Sequence, residues 1–203
     1  MSRFLSILVV FGLGLATSFL INPAYVFEDG RLVRAPRLLL SDGAVFSGEF
    51  NQQGLITGAG RMDWANGRFY EGDFVDGLMQ GRGKLTYANG AVYEGEFHAG
   101  LLHGQGVLSH DGRIYDGTMV NGMIEGQGTW LLPGQYRYTG ELKREQFHGS
   151  GEIVYDNGDY YLGQFVDGKL EGNGVYLTAD GDLYAGDFSK GSFNGEGIYT
   201  NQQ

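Results

Sequence analysis

The feature that most constrains this chain is a pattern that returns about every 23 residues. An aromatic residue followed two positions later by glycine occurs at Phe46/Gly48, Tyr70/Gly72, Tyr93/Gly95, Tyr115/Gly117, Tyr138/Gly140, Tyr161/Gly163 and Tyr184/Gly186, with spacings of 24, 23, 22, 23, 23 and 23 residues. A Gly-x-Gly follows each one: Gly58/Gly60, Gly81/Gly83, Gly104/Gly106, Gly126/Gly128, Gly149/Gly151, Gly172/Gly174 and Gly195/Gly197. A unit this short cannot enclose a core of its own, so its copies must stack and share one. Composition bears on the choice of element. Glycine supplies 37 of the 203 residues, and it is costly inside helices. With only 3 prolines the chain is not collagen. Its 13 Tyr and 13 Phe are too many for a disordered glycine linker.

Each unit reads as a β-hairpin. In residues 70–92, Tyr70, Gly72 and Phe74 alternate with Glu71 and Asp73, and Gly83, Leu85 and Tyr87 alternate with Lys84 and Thr86. Such period-two alternation marks strands. Asn89-Gly90 turns the chain into the next unit, and the signal recurs at Asp42-Gly43, Asn66-Gly67, Asp111-Gly112, Asn157-Gly158 and Asp180-Gly181, with Pro133-Gly134 as the exception. These dipeptides suit a hairpin turn in which both central residues need φ > 0. Residues 37–50, RLLLSDGAVFSGEF, align with residues 84–97, KLTYANGAVYEGEF, so Leu38 and Leu40 form a half-repeat cap.

The repeated positions form ladders. One strand contributes Tyr70/Phe74, Tyr93/Phe97, Tyr115/Met119, Tyr138/Leu142, Tyr161/Phe165 and Tyr184/Phe188. Glycine in the strands lets these rings lie over the bare backbone of a neighbour. The second strand adds Met62/Trp64, Leu85/Tyr87, Leu108, Trp130/Leu132, Ile153/Tyr155, Tyr176 and Tyr199, and a third ladder precedes the Gly-x-Gly: Ile56, Met79, Leu102, Ile124, Phe147, Leu170 and Phe193. These are expected to be loop residues that tuck under the sheet and stack on one another.

The pattern Tyr-x-Gly, a Gly five residues on, then Gly-x-x-x-Gly-x-Gly resembles the MORN repeat. The unit at Tyr70 matches throughout, with Gly72, Gly77, Gly81 and Gly83, as does the unit at Tyr161, with Gly163, Gly168, Gly172 and Gly174. Phe46 departs from the pattern, its unit carries one extra residue before Gly54, and Glu145 stands where a Gly is expected, which should reshape that turn. The resemblance covers residues 46–200. It implies an interaction module, since arrays of this family are associated with membrane lipids, scaffolding and self-association, and catalysis in family members that are enzymes lies in an attached domain.

Residues 4–21 form a run of 18 without a charge, preceded by Arg3 and closed by Asn22-Pro23. That length suits a membrane-spanning helix, and Phe19-Leu20-Ile21 directly after the small residues Ala16-Thr17-Ser18 argues against a signal peptide, whose apolar core is shorter. Arg3 favours keeping the tail inside, whereas Arg31, Arg34 and Arg37 pull the other way. The expectation is a single-pass anchor with the array on the outer, periplasmic or extracellular, side.

Between residues 46 and 203 there are 21 Asp+Glu against 10 Lys+Arg, a net of 10 − 21 = −11. Acids recur opposite the rings at Glu49, Glu71, Asp73, Glu94, Glu96, Asp116, Glu141 and Asp187. They read as a stripe that keeps the sheet soluble or attracts a basic protein surface, and that repels nucleic acid and anionic lipid. His103 and His148 occupy equivalent positions two repeats apart, too far for a shared metal. His110 takes an aromatic packing slot, and His98 reads as loop. The absence of Cys excludes thiolate sites and cysteine nucleophiles. The Gly-x-Gly pairs lack the strand–loop–helix context of a nucleotide site, and no Gly-x-Ser-x-Gly is present.

The fold expected is all-β: an elongated, twisted, single-layer antiparallel solenoid of consecutive β-hairpins, preceded by one N-terminal hydrophobic helix. Residues 1–21 are the anchor or signal sequence, 22–35 a tether, and 36–203 the repeat array. The function expected is a membrane-tethered scaffold for protein–protein interaction, with no enzymatic activity and no cofactor, metal or small-molecule substrate. The contact residues expected are Tyr70, Tyr93, Tyr115, Tyr138, Tyr161 and Tyr184, bordered by Glu71, Asp73, Glu94 and Glu96. The alternatives are lipid or cell-envelope polysaccharide binding and self-assembly, the last through the strand near Tyr199. Sugar stacking requires exposed rings.

Overall fold

The computed structural model describes residues 25–28, 31–34 and 38–201. The anchor expected over residues 1–21 lies outside the described residues, and among these no helix is long and apolar enough to cross a membrane. The span read as a tether contains a two-stranded antiparallel hairpin, β1 (Tyr25–Glu28) and β2 (Arg31–Arg34). The array then runs through β3 (Leu38–Leu39), β4 (Val45–Phe50), β5 (Ile56–Asp63), β6 (Phe69–Val75), β7 (Leu78–Thr86), β8 (Val92–His98), β9 (Leu101–His110) and β10 (Arg113–Val120). It continues with β11 (Met123–Leu132), β12 (Tyr136–Lys143), β13 (Gln146–Tyr155), β14 (Tyr160–Val166), β15 (Lys169–Leu177), β16 (Leu183–Ser189) and β17 (Ser192–Thr200). These fifteen strands form one open sheet in chain order. The chain packs as two compact units, residues up to 89 with 97–101, and residues 90–96 with 102 onward.

Most tight turns fall at the opposite end of each hairpin from the Asn-Gly and Asp-Gly pairs between repeats, and three of them are further pairs of that kind. Two-residue turns with both φ positive occur at Asp76-Gly77, Ala99-Gly100, Asn121-Gly122, Arg144-Glu145, Asp167-Gly168 and Lys190-Gly191. At Asn66-Gly67, Asn157-Gly158 and Asp180-Gly181 only the glycine has positive φ. There the side-chain oxygen of Asn66 or Asn157 accepts from the amide two residues on, at 3.1 and 3.0 Å, and the glycine amide closes onto the carbonyl three residues back, as in Gly67 to Trp64 at 2.9 Å. Asp111-Gly112 alone among those signals has both φ positive. Its repeat is one residue shorter, which converts the wider connection into a two-residue turn between β9 and β10.

The tight turns also stitch repeat to repeat. The amides of Gly77, Gly100, Gly122, Gly168 and Gly191 donate to the carbonyls of Ile56, Met79, Leu102, Phe147 and Leu170 at 2.8–2.9 Å. Those acceptors are the third ladder, which lies within strands and not in loops. Its aromatic members stack on the tyrosine of their own repeat, Phe147 on Tyr138 with centroids 3.9 Å apart and Phe193 on Tyr184 at 4.1 Å, and meet a neighbouring repeat edge-on, Phe147 at Phe165 and Phe193 at Tyr176. Successive repeats are thus joined through the backbone at this ladder. Glu145 takes the glycine place with φ 64°, so its turn keeps the shape of the others, and its amide reaches Ile124 at a longer 3.4 Å.

The core is a set of rings lying on glycine. Gly72 pairs with Gly83, and a Cβ on Gly72 would sit 2.6 Å from the Gly83 Cα, well inside contact. The Tyr70 ring covers both glycines. The same arrangement holds for Tyr93 over Gly95/Gly106, Tyr138 over Gly140/Gly151 and Tyr161 over Gly163/Gly174. Four of the rings meet the next repeat's phenylalanine edge-on: Phe46–Phe74 at 5.2 Å, Tyr70–Phe97 at 4.8 Å, Tyr138–Phe165 at 5.2 Å and Tyr161–Phe188 at 5.0 Å. T-shaped pairs of this kind contribute about 0.5–1.5 kcal/mol beyond their buried area.

Candidate functional site

The first glycine of each Gly-x-Gly has a different role from the second. Between Gly72↔Gly83 and Asp73↔Gln80 the register jumps, leaving Gly81 and Arg82 as a bulge in β7, and Gly81 adopts φ 64°. Equivalent jumps occur at Gly48/Glu49, Gly140/Glu141, Gly163/Gln164 and Gly186/Asp187. Opposite the bulge a backbone carbonyl turns inward, and the core tyrosine hydroxyl donates to it. The bonds are Tyr70 to Asp73, Tyr93 to Glu96, Tyr115 to Thr118, Tyr138 to Glu141, Tyr161 to Gln164 and Tyr184 to Asp187, at 2.6–3.1 Å. Phe46 lacks the hydroxyl for this bond. Burial pushes the phenols of Tyr70, Tyr115, Tyr138 and Tyr161 up to about 12.

This geometry reassigns the tyrosines expected at the contact. Tyr70, Tyr93, Tyr115, Tyr138, Tyr161 and Tyr184 are 0–9% exposed, with their ring faces on glycine and their hydroxyls on carbonyls. They fill the core of the array, and stacking on a sugar through these six rings has no exposed face to use. The four acids divide. Glu71 and Glu94 stand exposed on the outer face, Glu71 bonded to Arg61 at 2.8 Å. Asp73 and Glu96 lie over the bulge glycines Gly81 and Gly104.

The outer face is not the continuous acidic stripe that the first strands suggest, because antiparallel pairing sets second-strand residues between them. In the N-terminal unit the register runs Ser47–Arg61–Glu71–Lys84. Arg61 binds Asp63 at 2.6 Å and covers the Phe69 ring at 4.1 Å, and those carboxylates raise its pKa further above its ordinary value. In the C-terminal unit the same row reads Glu152–Leu162–Val175–Ala185–Ile198. The adjacent row reads Val154–Tyr160–Leu177–Leu183–Thr200. Leu162 is 49% and Ile198 70% exposed. Along this row the N-terminal unit is ion-paired and the C-terminal unit carries an apolar block, while exposed Val75 and Leu78 lie further along the N-terminal unit's strands. Tracking the residue inside each Tyr-x-Gly, from Glu71 and Glu94 to Leu162 and Ala185, together with the residue after each Gly-x-Gly, would have revealed the block.

At the connecting turns a second polar device recurs. Asp159 accepts from the Tyr176 hydroxyl at 2.7 Å and from the Ala179 amide at 2.9 Å, which with Asn157 holds its carboxyl below the usual range. Tyr199 bonds Asp182 likewise at 2.8 Å. The histidines are dispersed. His148 approaches Asp167 at 4.0 Å, His110 is half-buried beside Asp111, and His98 ends β8, not in a loop, with its ring nitrogen 3.3 Å from the Gln80 amide. Among the described residues no three His, Asp or Glu side chains converge as a metal site.

The hairpins, ring-on-glycine core and bulges define a stacked β-repeat protein. A MORN repeat model matches residues 46–67, 70–92, 93–112, 115–134, 138–160, 161–183 and 184–202, so the chain belongs to the MORN repeat family. No curated protein matches it. Among solved structures it resembles the SAS-4 (dCPAP) TCP domain of Drosophila melanogaster, determined in complex with a proline-rich motif of Ana2 (dSTIL), at 13% identity with 82% of this chain and 88% of that one covered and a TM-score of 0.39. It also resembles the TCP10 domain of Danio rerio CPAP at 15% identity, with 82% and 99% covered and a TM-score of 0.23. Likenesses this distant carry no argument about function.

Proposed function

We propose that this MORN array is a protein-interaction scaffold, held to a membrane by residues 1–21 with the array on the outer side. The observation that carries the reading is the division of labour between faces. The rings are consumed by the core, so a partner meets an outer surface of ion pairs, carboxylates and one apolar block. The net charge of −10 favours a partner with a basic surface and disfavours anionic lipid headgroups. We assign the array no catalytic role. The apolar run of residues 4–21 supports the tether by its length alone.

The test is partner capture from the native membrane. Full-length protein is crosslinked in place and purified beside a control carrying residues 1–35 alone. One or two proteins enriched by the array support the scaffold and report its side of the membrane. Recovery of self-crosslinks only, or of nothing but lipid and glycan, contradicts it.

A further inference from the structure

We infer that the apolar outer face of β14–β17 is a docking strip for an extended protein segment that alternates apolar and basic side chains. The inference rests on the scaffold reading and assigns it a site and a ligand chemistry. Leu162, Val175, Ala185 and Ile198 lie side by side in one register row, and Tyr160, Leu177 and Leu183 adjoin them in the next. The N-terminal unit, taken by itself, shows what a covered apolar residue looks like: Phe69 is roofed by the Arg61 guanidinium at 4.1 Å, and Arg61 is itself held by Asp63 and Glu71. Among the described residues no cation–ring contact covers Tyr160, and Leu162, Leu177 and Ile198 remain exposed.

Size and charge select the occupant. Four strands at about 4.8 Å spacing make the strip only about 15–20 Å long and two side chains wide. That is on the order of 200 Å², far short of the roughly 800 Å² per partner of a standard globular interface. It matches one extended segment of about five or six residues. Acids surround the strip, with exposed Asp156 and Asp180 in the connecting turns along one long side, Asp187 and Glu196 on the strands along the other, and Glu152 at the end of the row. A second copy laid face to face would set these acids against each other, whereas basic residues between apolar ones would meet them.

The probe is a fluorescent ten-residue peptide alternating Val and Lys, titrated into the full-length protein, with a Val/Glu peptide as its counterpart. The expected result is saturable binding of the Lys peptide that weakens several-fold from low to high salt and at least tenfold in Leu162→Thr/Val175→Thr/Ile198→Thr. Threonine keeps the strand preference of these positions, and an unchanged melting curve shows that the variant is folded. Phe69→Thr on the other unit should leave binding as it was. Equal binding of the Glu peptide, or undiminished binding by the triple variant, overturns the inference. So does a concentration-dependent dimer, or adsorption to neutral phospholipid vesicles, that the triple substitution abolishes. If the triple variant still captures the same membrane partner, the strip is wrong and the scaffold stands; if neither protein captures one, the scaffold itself fails.

Discussion

At the scale of single residues, the array rests on glycines whose two positions solve different problems. Gly83 is bare because the Tyr70 ring occupies the space of a Cβ. Gly81 is bare because the bulge needs φ 64°. Gly83→Ala is expected to push the ring off the sheet and destabilise the protein by about 3 kcal/mol, as overpacking does in a tight core, which denaturant unfolding would measure. The phenols give a second outcome. Those of Tyr70, Tyr115, Tyr138 and Tyr161 are pushed up to about 12 from about 10 in an unfolded chain. Below about pH 10 both states hold the proton and the buried neutral phenols contribute their full stability. Between about 10 and 12 only the folded chain holds it, so stability falls as pH rises. Ultraviolet titration should show late ionisation of these four, and denaturation midpoints should drop from about pH 9 to about pH 11. The ring-on-glycine relation was legible in the Tyr-x-Gly spacing. The separate duty of the first Gly was not, because a bulge is a property of two strands in register.

At the scale of the hairpin, the sequence showed where strands change direction better than how. The Asn-Gly and Asp-Gly pairs between repeats mark one end of each unit, yet most two-residue turns lie at the other end, three at pairs of the same kind (Asp76-Gly77, Asn121-Gly122 and Asp167-Gly168) and three at Ala99-Gly100, Arg144-Glu145 and Lys190-Gly191, which carry no strong signal. The turn shape there is imposed by the strand pairing and by the amide that each turn offers to the preceding repeat. Arg144-Glu145 shows how strong that imposition is. Glu145 accepts φ 64° where other repeats have glycine, and its rung lengthens to 3.4 Å. A side chain in the left-handed region costs about 1–2 kcal/mol, partly offset by the extra freedom glycine gives the unfolded chain. Glu145→Gly is therefore expected to stabilise the protein by about 0.5–1 kcal/mol, read as a raised denaturation midpoint. A lowered midpoint would show that the Glu145 side chain holds the turn by a contact of its own.

At the scale of the whole molecule, seven repeats with one core pattern carry two different outer faces. The repeat spacing made the all-β sheet and its strand order legible from sequence. The make-up of the outer face was not, because the acids recur along first strands while Arg61, Lys84, Val175 and Ile198, from the second strands, interleave with them. Burial also inverted the expectation for the rings: a tyrosine that recurs in every unit was read as a contact, and its recurrence instead reflects a packing place that every unit must fill. In the proposed scaffold role, selection of partners falls to outer positions, which the core leaves free to vary from repeat to repeat.

The claim that the rings are core and the outer face is the contact is tested most directly by hydroxyl-radical footprinting of the full-length protein, free and with its captured partner. Tyr70, Tyr93, Tyr115, Tyr138, Tyr161 and Tyr184 should be protected in both states, while Leu162 and Ile198 should be oxidised in the free protein and shielded in the complex. Oxidation of the six tyrosines in the free protein, with protection only on binding, would place the contact on the ring face and contradict the account.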